Sequence, residues 1–103
     1  MEVAELQDKA LDAANLLKSM SNESRLLILC NLVEGEKSVG ELQALIGLSQ
    51  SALSQHLGVL RRDGLVSTRR SAQSIFYSLE SKPAQAVMAT LYNYFCAVTE
   101  NTV

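Results

Sequence analysis

One histidine and two widely separated cysteines, Cys30 and Cys96, are all that this 103-residue chain offers in imidazole and thiol groups. That falls short of the three or four such ligands a zinc-type site needs, so neither a metal nor any other cofactor is expected. An enzyme is disfavoured on the same ground. There is no CxxC pair, no glycine-rich phosphate loop and no second histidine from which to assemble a nucleophile, its base and an orienting group. Long apolar runs are also missing, and none approaches the roughly 20 residues that span a bilayer. The opening MEVAELQDKALD has acidic residues and lacks a basic start followed by an apolar stretch, which is not the pattern of a signal peptide. A cytoplasmic protein without a membrane partner is the expectation. Repeats, linkers and low-complexity segments are absent too, so residues 1–103 are expected to form one domain.

The chain as a whole lacks a basic balance, with a net charge of −2. Its distribution reverses that impression. Between residues 49 and 75, Arg61, Arg62, Arg69 and Arg70 face only Asp63, giving +3, while the rest of the chain carries −5. A polarised map of this kind suits a protein that turns one face to phosphates and keeps the rest solvated. The same arginines could simply solvate a surface, but they cluster beside the most informative stretch of the sequence.

That stretch is LSQSALSQHLGVLRRDGLV, Leu48 to Val66. Small polar residues (Ser49, Gln50, Ser51, Ser54, Gln55, His56) fill the first turns, where base edges would be met. Leu53, Leu57 and Leu60 return at spacings of four and three, the mark of a buried helical stripe. Arg61 and Arg62 close the helix and Asp63-Gly64 breaks it. Polar readout, a core-facing seam and a cationic end in one segment make sequence-specific DNA binding the leading expectation.

The rest of the chain supplies a frame for it. A helix is expected from Ala4 to about Met20, and a nearly apolar one from about Glu23 to Val33, capped by Ser21-Asn22 and central to the core. Glu34 to Lys37 read as a polar loop. Ser38 with Glu41 makes a capping-box pattern that opens a short helix ending at Gly47. Ser49 then caps the segment above, which leaves helix-turn-helix spacing. Leu65 to Arg69 and Ser74 to Leu79, rich in β-branched and aromatic residues, flank a polar loop of Arg70 to Gln73 and form a β-hairpin. A last helix is expected from Ser81 to about Val98, with the single proline, Pro83, in its first turn. The fold class is therefore mainly α with a β-hairpin wing, a winged helix-turn-helix. The first and last helices carry more apolar surface than so small a core can cover, which implies a two-fold homodimer through them. Such a dimer sets two recognition helices in successive major grooves, roughly 34 Å apart, on double-stranded DNA carrying an inverted repeat.

The wording MSNESRLLILCNL, SVGELQALIGLSQSALSQHLGVLRRDGLV and QSIFYSL resembles the ArsR/SmtB family of winged-helix regulators over about Leu16 to Cys96. The resemblance implies a DNA-binding regulator, with contacts aside from the seam falling to Ser49, Gln50, Ser51, Ser54, Gln55 and His56 on the recognition helix. Arg61, Arg69 and Arg70 become phosphate or groove contacts. It also implies a signal. Many members sense metals, yet Ser38 and Gly40 stand where one metal motif has cysteines, and Ser81–Val98 holds neither Asp nor His. Cys30 and Cys96 are instead similar in placement to the sulfide- and redox-responsive branch (BigR-, SqrR- and HlyU-like). There the two thiols of a subunit are linked directly or through added sulfur, and DNA affinity changes. Persulfide, polysulfide or an oxidant is the implied inducer, and a repressor the implied output, with an activator or anti-repressor as the alternative. Each cysteine taken alone also fits a small apolar core residue.

Overall fold

Polar side chains set the helix boundaries. In the computed structural model, which describes residues 2–97, α1 (Val3–Met20) is followed at once by α2 (Glu23–Val33). The Asn22 side chain starts α2 by accepting the Arg25 amide at 3.0 Å, so Asn22 and not Ser21 is the cap. α3 (Val39–Ile46) opens with the expected capping box: Ser38 Oγ accepts the Glu41 amide at 3.1 Å, and Glu41 Oε1 accepts the Ser38 amide at 2.9 Å. Gly47 then ends it in the left-handed region, at φ 79°, which a side chain would resist. α4 (Gln50–Arg62) begins three residues later, its cap Ser49 accepting the Ala52 amide at 3.2 Å. Ser81 caps α5 (Lys82–Tyr92) in the same way, with Pro83 in the first turn.

The sheet is larger than the sequence indicates. A two-residue strand β1 (Lys37–Ser38), inside what reads as a polar loop, pairs antiparallel with β3 (Ser74–Leu79), which pairs with β2 (Val66–Ser71). The order is β1-β3-β2. β2 runs on through Arg70 and Ser71, so the expected four-residue loop shrinks to a turn at Ala72-Gln73, with Ala72 at φ 54°. The last helix also departs from expectation. After Tyr92 its backbone widens into a π-helical turn, Asn93–Ala97, and Val98 lies outside the described residues.

The core collects around α2 and α4. Ile28, Leu29 and Leu32 meet Leu42 of α3, the Leu53–Leu57–Leu60 seam of α4, Leu65 and Val66 at the base of the hairpin, and Ala84 and Met88 of α5. The seam read from the sequence is buried as expected. α2 is less engulfed than its composition indicates, since Leu27 and Val33 stay exposed. Along α1 only Ser19 and Met20 are buried, and Val3, Leu6, Leu11 and Leu17 face outward. No helix among the described residues is long and apolar enough to cross a membrane.

Candidate nucleic-acid interface and thiol cleft

The core fixes which side of α4 can face outward. With Leu53, Leu57 and Leu60 turned inward, the intervening Ser49, Gln50, Ser51, Ser54 and Gln55 are left exposed. They are short or flexible hydrogen-bonding side chains at the N-terminal end of the helix, the end that a helix-turn-helix offers to base edges. Arg61 and Arg62 sit in the last turn, where cations offset the helix dipole. Arg62 also holds Asp63, with Nε–Oδ1 at 3.1 Å.

His56, grouped with these residues on the sequence, sits differently. It is half-buried, and its Nδ1 lies 3.4 Å from Arg25 Nη1, a group that can only donate, so Nδ1 is the acceptor in that contact. Arg25 in turn donates from Nε to the Ser19 carbonyl at 2.6 Å and from Nη2 to the Lys18 carbonyl at 3.4 Å, closing off the end of α1. The buried Ser19 hydroxyl donates to Asp63 Oδ2 at 2.6 Å. Arg62 first, and then that hydroxyl, hold the Asp63 carboxyl below the usual carboxylate range. The C-terminal end of α1 is thus tied to the C-cap of α4 directly and, through Arg25, to its middle. No sequence signal pairs Ser19 with Asp63 across 44 residues, and neither was foreseen as a site residue.

The wing presents Arg69 and Arg70 on neighbouring positions of β2. Arg69 is engaged: Nε and Nη2 reach the two oxygens of Glu36 at 2.9 and 2.6 Å, and its guanidinium carbon stands 4.7 Å over the Phe76 ring. The Arg69 hydrogen bonds lower the Glu36 carboxyl. Arg70 is exposed.

On the other side of α2, an apolar cleft of about 590 Å³ opens between α2 and α5. Leu26, Leu27, Met88, Leu91 and Phe95 form much of its wall, and Cys30 and Cys96 both line it. Both cysteines are free and half-buried. Burial, followed by the charge and hydrogen bonding of Cys96, pushes the Cys30 thiol up, and Glu34 adds in the same direction. The two thiols, 66 residues apart in sequence, are neighbours in the fold.

Residues 22–68 match the family described as "Bacterial regulatory protein, arsR family". The chain is 54% identical to the biofilm growth-associated repressor of Xylella fastidiosa strain 9a5c, over 90% of this chain and 82% of that protein. It is 49% identical to the transcriptional activator HlyU of Vibrio cholerae, over 97% of this chain and 93% of that one. The solved structure of reduced HlyU from Vibrio cholerae N16961 superposes with a TM-score of 0.88 at 51% identity, covering 91% of this chain and 99% of the other.

Proposed function

The chain belongs to the ArsR family of bacterial regulatory proteins and is a transcriptional regulator rather than an enzyme; from that premise we propose that it is a cytoplasmic homodimeric repressor switched by reactive sulfur or oxidants at Cys30 and Cys96. The observation that carries the switch is the shared cleft, in which Cys96 is close enough to shift the Cys30 thiol. Ser49, Gln50, Ser51, Ser54 and Gln55 are its candidate base or phosphate contacts, with Arg61 and the wing outside them.

The chemistry is a two-step exchange. One thiolate attacks the outer sulfur of a persulfide RSSH, the S–S bond breaks, and RS⁻ leaves with the electron pair. The second thiolate attacks the inner sulfur of the new protein persulfide and expels HS⁻. The two protein thiols are oxidised to a disulfide, and RSSH is reduced to RSH and H₂S. A second RSSH consumed before closure leaves one additional sulfur in the bridge. Either bridge ties α2 to the π-helical turn that extends α5, a local bond with the reach to change how two reading helices are presented.

Peptide-resolved mass spectrometry of protein treated with persulfide tests this directly. A linked Cys30–Cys96 peptide, with or without an added sulfur, is the expected product; two separate, unlinked peptides after full reaction contradict it. A second reading is favoured by the relative named a transcriptional activator: the output is activation or anti-repression, with general redox sensing. Peroxide yielding the same linkage as persulfide supports that sensing, and a reporter gene raised rather than lowered by the protein supports that output.

A further inference from the structure

We propose that Arg69 is a positioning residue that clasps the wing to the loop before β1, and that the cations meeting phosphate are Arg61 and Arg70. The inference rests on the DNA-binding reading above and divides its arginines by role.

Three observations lead there. First, the Arg69 fork is already filled. Its Nε and Nη2 take both oxygens of Glu36 at 2.9 and 2.6 Å, the bidentate geometry in which a guanidinium also holds a phosphate. Meeting DNA would first require giving up both of these hydrogen bonds and would leave the Glu36 carboxylate without its partner, a cost that an unpaired arginine does not carry. Second, the clasp crosses the sheet. Arg69 is paired in register with Phe76, on whose ring it stands, and Phe76 is paired on its other side with Ser38 of β1. Glu36 directly precedes β1, so the ion pair ties the outer strand β2 to the outer strand β1 across β3. Third, successive residues of a strand project to opposite faces, so Arg69 and Arg70 cannot both present themselves on one side of β2. Arg70 is exposed, and neither it nor Arg61 is in an ion pair among the described residues, whereas Arg62 is held by Asp63.

The dependence of DNA affinity on salt counts phosphate contacts and separates these roles. Each contact contributes about 0.9 to the slope of log affinity against log salt, so one lost in both subunits flattens it by about 1.8. Arg70→Ala is expected to flatten the slope by that amount. Arg69→Ala is expected to weaken binding with the slope unchanged. The exchange Glu36→Arg with Arg69→Glu rebuilds the ion pair in reverse at constant charge, and is expected to keep the wild-type slope and restore affinity to within about threefold. Circular dichroism melting establishes that each variant is folded. Arg69→Ala flattening the slope as much as Arg70→Ala, or a folded exchange variant that no longer binds, overturns the assignment while leaving DNA binding intact. Wild-type protein with no salt-dependent binding removes the DNA reading and this inference with it.

Discussion

Cys30 is held as a thiol by its surroundings. Burial acts first and Cys96 second, both raising it, so at neutral pH Cys30 keeps its proton more firmly than a free cysteine does. Its alkylation by iodoacetamide, followed peptide by peptide, is therefore expected to accelerate only at a pH above that of a free thiol. In Cys96→Ser the profile should move down, because one of the causes is gone; an unchanged profile would mean that the thiols do not sense each other. The sign of the linked stability follows. A group whose folded-state value is raised contributes fully below its unfolded value, and that contribution fades as pH rises through the folded one. Residue-scale pairings such as Cys30 with Cys96, Ser19 with Asp63 or Glu36 with Arg69 lie 33 to 66 residues apart in the chain. Local pattern carries no trace of them, and only the resemblance to a family marked the cysteines as a pair. Nor does local pattern show that two of the candidate DNA contacts, His56 and Arg69, already have partners within the chain, one accepting from Arg25 and the other held by Glu36.

At the scale of elements, the helix boundaries were legible because the interactions that set them span three residues. The Ser38–Glu41 box, the Ser49 cap and the left-handed Gly47 all stand where the sequence places them. The leucine seam of α4 was equally plain, since its period is that of the helix and one side of it is buried. What escaped was set by distant partners. β1 is two residues long and exists only because β3 pairs with it, and β2 continues past Arg69 because β3 offers it a ladder. The π-helical turn that carries Cys96 has no composition of its own to announce it. The caps give a direct test. Ser49→Ala removes the acceptor for the Ala52 amide at the start of the reading helix and should cost about 1 kcal/mol of unfolding free energy, measured in urea. A loss below a few tenths would show that the cap is replaceable by water.

At the scale of the whole molecule, the outer side of α1 is the feature the single chain leaves unexplained. Val3, Leu6, Leu11 and Leu17 are all more than half exposed, on a helix whose only buried residues are Ser19 and Met20. Apolar surface distributed in this way marks an interface, here the one expected between two copies of the chain. Leu6→Glu with Leu17→Glu should therefore yield a folded monomer by analytical ultracentrifugation, with DNA affinity reduced at least tenfold, since one recognition helix contacts too few phosphates to hold a duplex at physiological salt. A variant that stays dimeric would move the interface elsewhere. The ties from α1 to Asp63, and through Arg25 to His56, give such an interface a grip on the reading helix. The switch itself is tested most directly by fluorescence anisotropy on a duplex selected from a randomised pool, with each protein reduced and then treated with persulfide. Treatment should lower the affinity of the wild-type protein at least tenfold, a shift of about 1.4 kcal/mol, and leave Cys30→Ser and Cys96→Ser bound as in their reduced forms. A full response from either single-cysteine variant would contradict the two-thiol switch.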